Sequence, residues 1–235
     1  MISLEADNLA KWFEKRKVAL DIPELSVESK RLCFLGENGS GKTTMLSIIA
    51  GLVKPSRGSL FLNDIEPYKE REEVSKFVSF VFEKPKMAYR LKVKEFVNFI
   101  SRYKSELSQD FDEIVEILGI KEFYDRNMYG LSSGQEQLLY LLVALSRNTS
   151  ILIADEAFSH IDLSRVSKIV NYMEKMKKDL IFATHVPEEA ESLADYIVIL
   201  EEGKIVWQGS IEDLYNSDIY EVYVKRGVEM DFNPI

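Results

Sequence analysis

Apolar residues along the chain follow two spacings, and the change from one to the other divides it. Residues 2–6 and 18–27 alternate in part between apolar and polar positions, which predicts two strands forming a hairpin packed near the first helix. Leu32 to Leu35 is a short continuous apolar run, the pattern of a buried strand, and Thr44 to Ala50 reads as a helix. Lys54-Pro55-Ser56-Arg57-Gly58 signals a turn before a strand at Ser59 to Leu62, and Phe77 to Phe82 is a strongly β-prone run. From Lys84 to about Ser146 the spacing becomes helical. It is carried by Val93, Phe96, Val97 and Ile100, then by Phe111, Ile114, Val115 and Leu118, with Gly119 as a stop. A third helix follows Ser132-Ser133-Gly134 and carries Leu138, Leu139, Leu141, Leu142 and Leu145. Strands and helices then alternate: a strand at Ile151 to Ala154 ending in Asp155-Glu156, a helix at Val166 to Met176, a strand at Leu180 to Thr184 ending in His185, and a helix at Pro187 to Ala194. Two strands, Tyr196 to Leu200 and Lys204 to Gln208, flank a Glu202-Gly203 turn, and Glu229 to Ile235 reads as a loose tail. Such alternation predicts an α/β fold with a mostly parallel sheet covered on both faces, N-terminal antiparallel strands and an inserted α-helical subdomain.

At 235 residues the chain has room for one large domain or two lobes with a substantial core. No uncharged apolar stretch reaches the length of a membrane span. The start, MISLEADNLAK, has neither the basic nor the apolar region of a secretion signal, so a cytoplasmic location is expected. The single cysteine, Cys33, falls inside an apolar strand and reads as a small core residue. A net charge of −9 argues against non-specific nucleic-acid binding. The basic clusters Lys15-Arg16-Lys17 and Lys175 to Lys178 are short and flanked by acids, the pattern of solvated faces.

The candidate chemistry begins at Gly36 to Thr44, a turn of the form G-x-x-x-x-G-K-[ST] set between strand and helix. In that context it is a phosphate cradle: glycines let backbone N–H groups converge, and the helix points its positive end at the same place. Lys42 supplies a point charge for the β- and γ-phosphates, and Thr43 a hydroxyl for Mg²⁺. Ligands in such sheets bind at the carboxyl ends of strands. The strand-end Asp155 is therefore assigned to holding Mg²⁺ and Glu156 to polarising a water for attack on the γ-phosphate, with His185 bonding that phosphate. Ser132, at the head of the leucine-rich helix, caps a second helix N-terminus, a second anion site. One ATP cannot easily use both termini in a monomer, so this one is assigned to the ATP of a partner. Lys11-Trp12-Phe13 offers aromatic rings for an adenine base.

Together these residues resemble an ATP-binding cassette (ABC) ATPase subunit over nearly the whole chain. GENGSGKTT resembles the Walker A loop, LSSGQ the ABC signature, ILIADE the Walker B strand, Ser159-His160-Ile161-Asp162 the D-loop, and Ala183-Thr184-His185 the switch histidine. The resemblance implies a P-loop nucleotide-binding core at 1–84 and 147–235 and a helical signature subdomain at 85–146, in a single ABC domain. It implies ATP held by Glu37, Asn38, Gly39, Ser40, Gly41, Lys42, Thr43 and Thr44, with Phe13 (or Trp12) on the adenine. It further implies a head-to-tail homodimer, or a heterodimer with a related ATPase, in which Ser132, Ser133, Gly134 and Gln135 meet the ATP of the other copy. Three departures stand out: Ser133 where the family has Gly, Ala157 where it has Pro, and Leu138 where it has a basic residue. A fourth is Glu83 in place of the glutamine that contacts Mg²⁺ and the attacking water; a carboxylate there would ligate the metal while slowing or regating hydrolysis. The expected function is ATP hydrolysis powering an ABC transporter through a separate integral membrane permease, whose coupling helix would dock near Glu83 to Tyr89. The protein would then lie peripheral to the inner face of the membrane, with ATP and Mg²⁺ as cofactors and no nucleic-acid partner. The alternatives are a soluble ABC-type ATPase acting on nucleic acid or ribosomes, and a slow-turnover ATP-dependent switch. The first is disfavoured because Gly36 to Leu131 is too short for an inserted coiled coil and the chain carries one head.

Overall fold

A computed structural model describes residues 1–13, 18–82, 90–103 and 110–220 of the chain. They form two compact units, Met1–Glu70 with Ile181–Ile235 and Arg71–Leu180. These boundaries differ from the 84/85 and 146/147 divisions expected from the helical texture, because β-strand segments on either side of the helices cluster with them.

In the first unit, β1 (Ile2–Trp12) pairs antiparallel with β2 (Val18–Ser29). Leu4 faces Val27, Ala6 faces Leu25 and Leu9 faces Ile22 in this register, and all six side chains are buried. β1 is longer than the alternation at residues 2–6 predicts. The chain passes Asp7 and Asn8 with Asn8 in the left-handed region (φ 47°) and a register shift against the next strand, then resumes pairing as far as Trp12. A polar bulge broke the sequence pattern without ending the strand. β3 (Arg31–Leu35) is buried along its apolar length and leads through the glycine loop into α1 (Lys42–Ile49), which starts two residues ahead of its predicted position. β4 (Arg57–Leu62) completes a three-stranded sheet in the order β2-β1-β4.

The second unit opens with α2 (Arg71–Phe77), a helix the apolar spacing did not reveal because Val74 is its one buried residue. It takes Phe77 from the predicted strand, leaving β5 as Val78–Val81. The described residues of the helical stretch contain α3 (Val93–Ile100), α4 (Phe111–Ile117), three short 3₁₀ turns and α5 (Ser133–Ser146). Gly119 ends α4 with φ 63°, as its position predicts. β6 (Ile151–Asp155) lies parallel to β5 and is buried at every residue. α6 (Leu163–Lys175) follows, and β7 (Asp179–Thr184) begins here and runs on into the first unit.

Back in the first unit, α7 (Pro187–Leu193) connects to β8 (Tyr196–Glu201), which pairs parallel with β3, and to β9 (Lys204–Ser210), antiparallel to β8 across Glu202-Gly203. The strand order here is β7-β3-β8-β9, so β3 is central, which is why its run of residues is uninterruptedly apolar. α8 (Ile211–Tyr215) and α9 (Asp218–Tyr220), too short to show a period, end the described chain. Lys15-Arg16-Lys17, Glu83 with the stretch to Tyr89, and the tail from Glu229 lie outside the described residues. Among those described, no helix is long and apolar enough to cross a membrane.

Candidate functional site

The glycine loop takes its shape from two close approaches and one left-handed turn. A side chain at Gly36 would run into the Leu200 carbonyl oxygen. At Gly41 (φ 109°) a Cβ would lie 2.6 Å from the Ala19 carbonyl oxygen and 2.7 Å from Leu20 Cδ2. Gly39 meets nothing, and its glycine answers instead to φ 89°. Hydrogen bonds hold the loop in place: Ser40 N–H donates to Glu37 O (3.1 Å), and Gly203 N–H donates to Ser40 O (2.9 Å). Lys42 is buried, and its Nζ donates to the carbonyl oxygens of Gly36 (2.7 Å) and Glu37 (2.9 Å). Gly41 is the N-cap of α1, with no side chain capping the helix and no acid in its first turn, so the positive end of α1 is uncompensated by its own residues. Thr43, Glu37, Asn38 and Gly39 are exposed and Thr44 half-buried. Ser40 Oγ is buried and has no hydrogen-bond partner among the described residues, a cost of about 1–3 kcal/mol for an isolated unit.

The structure brings the His185 turn to this loop. Gly36 N–H donates to Thr184 O (3.3 Å), and His185 and Val186 form the two-residue link between β7 and α7. Cys33, in β3 ahead of the loop, is fully buried, and burial first and the Glu189 carboxylate second hold its thiol well above its usual value, with Lys42 acting the other way. It is the core residue its strand predicts. Trp12, paired with Val18 one residue ahead of the Ala19 carbonyl that Gly41 approaches, is 42% exposed and Phe13 51%, enough for a ring to take a ligand. Trp12 N–H is bonded to Ser56 Oγ (3.3 Å), and the Lys11 ammonium sits 4.9 Å from the Phe13 ring centroid.

The remaining candidates are in the second unit. Asp155 is 2% exposed at the end of β6, and Glu156, half-buried, adopts φ 48°. A non-glycine residue in that region carries strain of about 1–3 kcal/mol, which accumulates at functional positions. Asp162 is the N-cap of α6: its Oδ1 accepts from Arg165 N–H at 2.9 Å. Ser132 is the predicted N-cap of α5. Its Oγ accepts from Gln135 N–H (3.3 Å), while Gln135 Oε1 accepts from Ser132 N–H (3.2 Å), a reciprocal capping box. The Ser132 hydroxyl keeps its own hydrogen to donate, and Ser133 and Gly134, the first helical residues, have N–H groups with no partner one turn back. Gly134 also packs the helix on the loop leading to Asp162, since a Cβ there would lie 2.5 Å from the His160 carbonyl oxygen. The head of α5 and the loop ending in Asp162 are therefore joined. Among the described residues no group of three or more His, Cys, Asp or Glu forms a metal cluster. Mg²⁺ does not need one, because it is held by one or two carboxylates or hydroxyls together with substrate phosphates and water. Thr43, in the first unit, and Asp155, in the second, each carry a hard oxygen of the kind that chemistry uses.

One lysine departs from expectation. Lys178, in a cluster that reads as solvated, is buried, with Nζ donating to Arg147 O and Thr149 Oγ1, each at 2.9 Å. Desolvation pushes its pKa down to about 8. Of the His185 turn, Glu189 was not singled out from the sequence and Thr184 only as part of Ala183-Thr184-His185; a Thr-His followed by a helix-start Glu was the available signal.

The family model described as "ABC transporter" matches residues 20–159. The ABC transporter ATP-binding protein NatA of Bacillus subtilis is 26% identical over 229 residues, 93% of this chain and 93% of that protein. The glucose import ATP-binding protein GlcV of Saccharolobus solfataricus is 31% identical over 238 residues, 93% of this chain and 66% of that protein. Among solved structures, an ATP-binding subunit of an ABC transporter superposes with TM-score 0.77 at 20% identity, over 95% of this chain and 98% of that one. The cbiO1 protein of Clostridium perfringens, part of the transporter complex cbiONQ, gives 0.73 at 22%, over 95% and 96%.

Proposed function

The chain belongs to the ABC transporter family as an ATP-binding ATPase, and from that premise we propose that two copies, or one copy and a related ATPase, clamp ATP head to tail and drive a separate membrane permease. The observation that carries the reading is the loop itself. A helix N-terminus without acid or cap, three glycines demanded by close approach or positive φ, and a buried lysine whose ammonium donates to two loop carbonyls together form a receptor for a polyanion. The N–H groups of Gly39 to Thr44 and the Lys42 ammonium take the β- and γ-phosphates, and Trp12 or Phe13 takes the adenine face. Ser132, Ser133 and Gly134 of the second copy reach the γ-phosphate with one hydroxyl and two N–H groups.

In hydrolysis, Glu156 orients the attacking water in line and takes its proton, while His185 donates to the γ-phosphate and keeps that geometry. The strained backbone at Glu156 supports its role, because strain held after a buried strand fixes the carboxylate's direction. Thr43 and Asp155 would hold Mg²⁺, which when bound neutralises phosphate charge. Binding draws the copies together and loss of the γ-phosphate lets them part, a population shift the permease converts to transport. The similarity to GlcV, named for glucose import, and to a subunit of a multi-protein transporter complex supports a permease partner and leaves the cargo to that partner.

The test is assembly. Glu156→Gln with saturating MgATP is expected to elute as a dimer in size-exclusion chromatography, turnover falling at least about a hundredfold. Lys42→Ala is expected to stay monomeric and lose ATP binding. A Glu156→Gln protein that binds ATP but remains monomeric would sink the clamp.

A further inference from the structure

Thr184 makes three hydrogen bonds that converge on one turn. Its carbonyl accepts from Gly36 N–H (3.3 Å), which pins the entry of the glycine loop. Its hydroxyl accepts from Val186 N–H (3.0 Å) and donates to Glu189 Oε2 (2.8 Å). Thr184 is fully buried, so each bond is made away from water, and a group left without its partner there is costly. Between the two backbone anchors stands His185, flanked by residues whose positions Thr184 dictates. Glu189 is the third residue of α7, where an acid ordinarily reaches back to its own N-cap; here it takes the Thr184 hydroxyl instead.

We propose that Thr184 and Glu189 are positioning residues that fix the His185 backbone relative to the glycine loop, so that the histidine meets the γ-phosphate bound there. The proposal rests on the ATPase reading above and adds the part that sets His185. The Thr184 hydroxyl has one hydrogen and two acceptor sites, and the turn uses the hydrogen and an acceptor site in opposite directions. Valine keeps the shape and loses both bonds; serine keeps both.

The full chain has two histidines, His160 and His185, whose imidazole NMR signals a His160→Gln variant assigns. In the nucleotide-free protein, Thr184→Val is expected to move the His185 signals and leave those of His160 in place, and Thr184→Ser to return them. With MgATP, Thr184→Val is expected to lower kcat about tenfold while KM and the affinity for a fluorescent ATP analogue stay within about twofold. Thr184→Ser is expected to recover the rate. On a His185→Ala background, Thr184→Val should cost nothing further, since its effect runs through the histidine. Glu189→Leu, which strands the Thr184 hydroxyl, gives the same pattern and serves where Thr184→Val fails to fold. Unmoved His185 signals, or losses that add in full on the His185→Ala background, overturn the proposal alone. A wild-type chain that neither binds nor hydrolyses ATP removes the functional reading and this proposal with it.

Discussion

Lys178 shows how far a single residue can depart from its neighbourhood in sequence. It belongs to a basic cluster, yet its ammonium is inside, serving the carbonyl at the end of α5 and the Thr149 hydroxyl, which itself donates to Ser79 Oγ at 3.1 Å. Its pKa of about 8 in the folded protein lies below the ordinary 10.5, so above pH 8 the unfolded chain holds the proton that the folded chain has released. Stability therefore rises with pH in that window, by about 1 kcal/mol between pH 8 and 9. The raised thiol of Cys33 acts in the opposite direction above its usual 9, which closes the window. Urea unfolding of wild type and Lys178→Met at both pH values is expected to show the wild type gaining on the variant by that amount. Parallel curves would mean that the amine titrates normally.

α5 shows two rules in conflict within one element. Intrinsic propensity favours alanine over glycine in a helix by about 1 kcal/mol, and Gly134, with no positive φ, is the second residue of a helix. Its neighbour decides the outcome. The atom a Cβ would meet at 2.5 Å is the backbone oxygen of His160, which cannot rotate away as a side chain could. Gly134→Ala is therefore expected to destabilise by about 1–3 kcal/mol in urea unfolding despite the better helix former. Ser132→Ala removes the cap and is expected to cost about 1 kcal/mol by the same measure. A Gly134→Ala protein as stable as the wild type would show that helix and loop are not packed as described.

At the scale of the whole molecule, a net charge of −9 bears on partners more than on fold. Retention on a DNA column is expected to be negligible at about 0.15 M salt, where the Debye length is about 8 Å; strong, salt-sensitive retention would favour the nucleic-acid alternative. ATP binding to the folded state alone is expected to stabilise it by about 2.7 kcal/mol at a hundredfold excess over Kd. The gain should appear as a rise in thermal midpoint that Lys42→Ala abolishes.

The family and most of the candidate site were legible because both are local. A glycine loop between strand and helix, a serine at a helix head, and a carboxylate pair ending a buried strand each occupy a few consecutive residues whose spacing carries the chemistry. α2 was not legible, because one buried valine makes no period, and the far half of β1 was hidden by the polar bulge at Asn8. What tertiary structure alone decided is which groups from distant segments meet. Thr184 joins the glycine loop, Gly134 meets His160, and Lys178 turns inward. Each of these depends on burial and on contact between distant stretches of chain, and neither is a property of any short stretch of sequence.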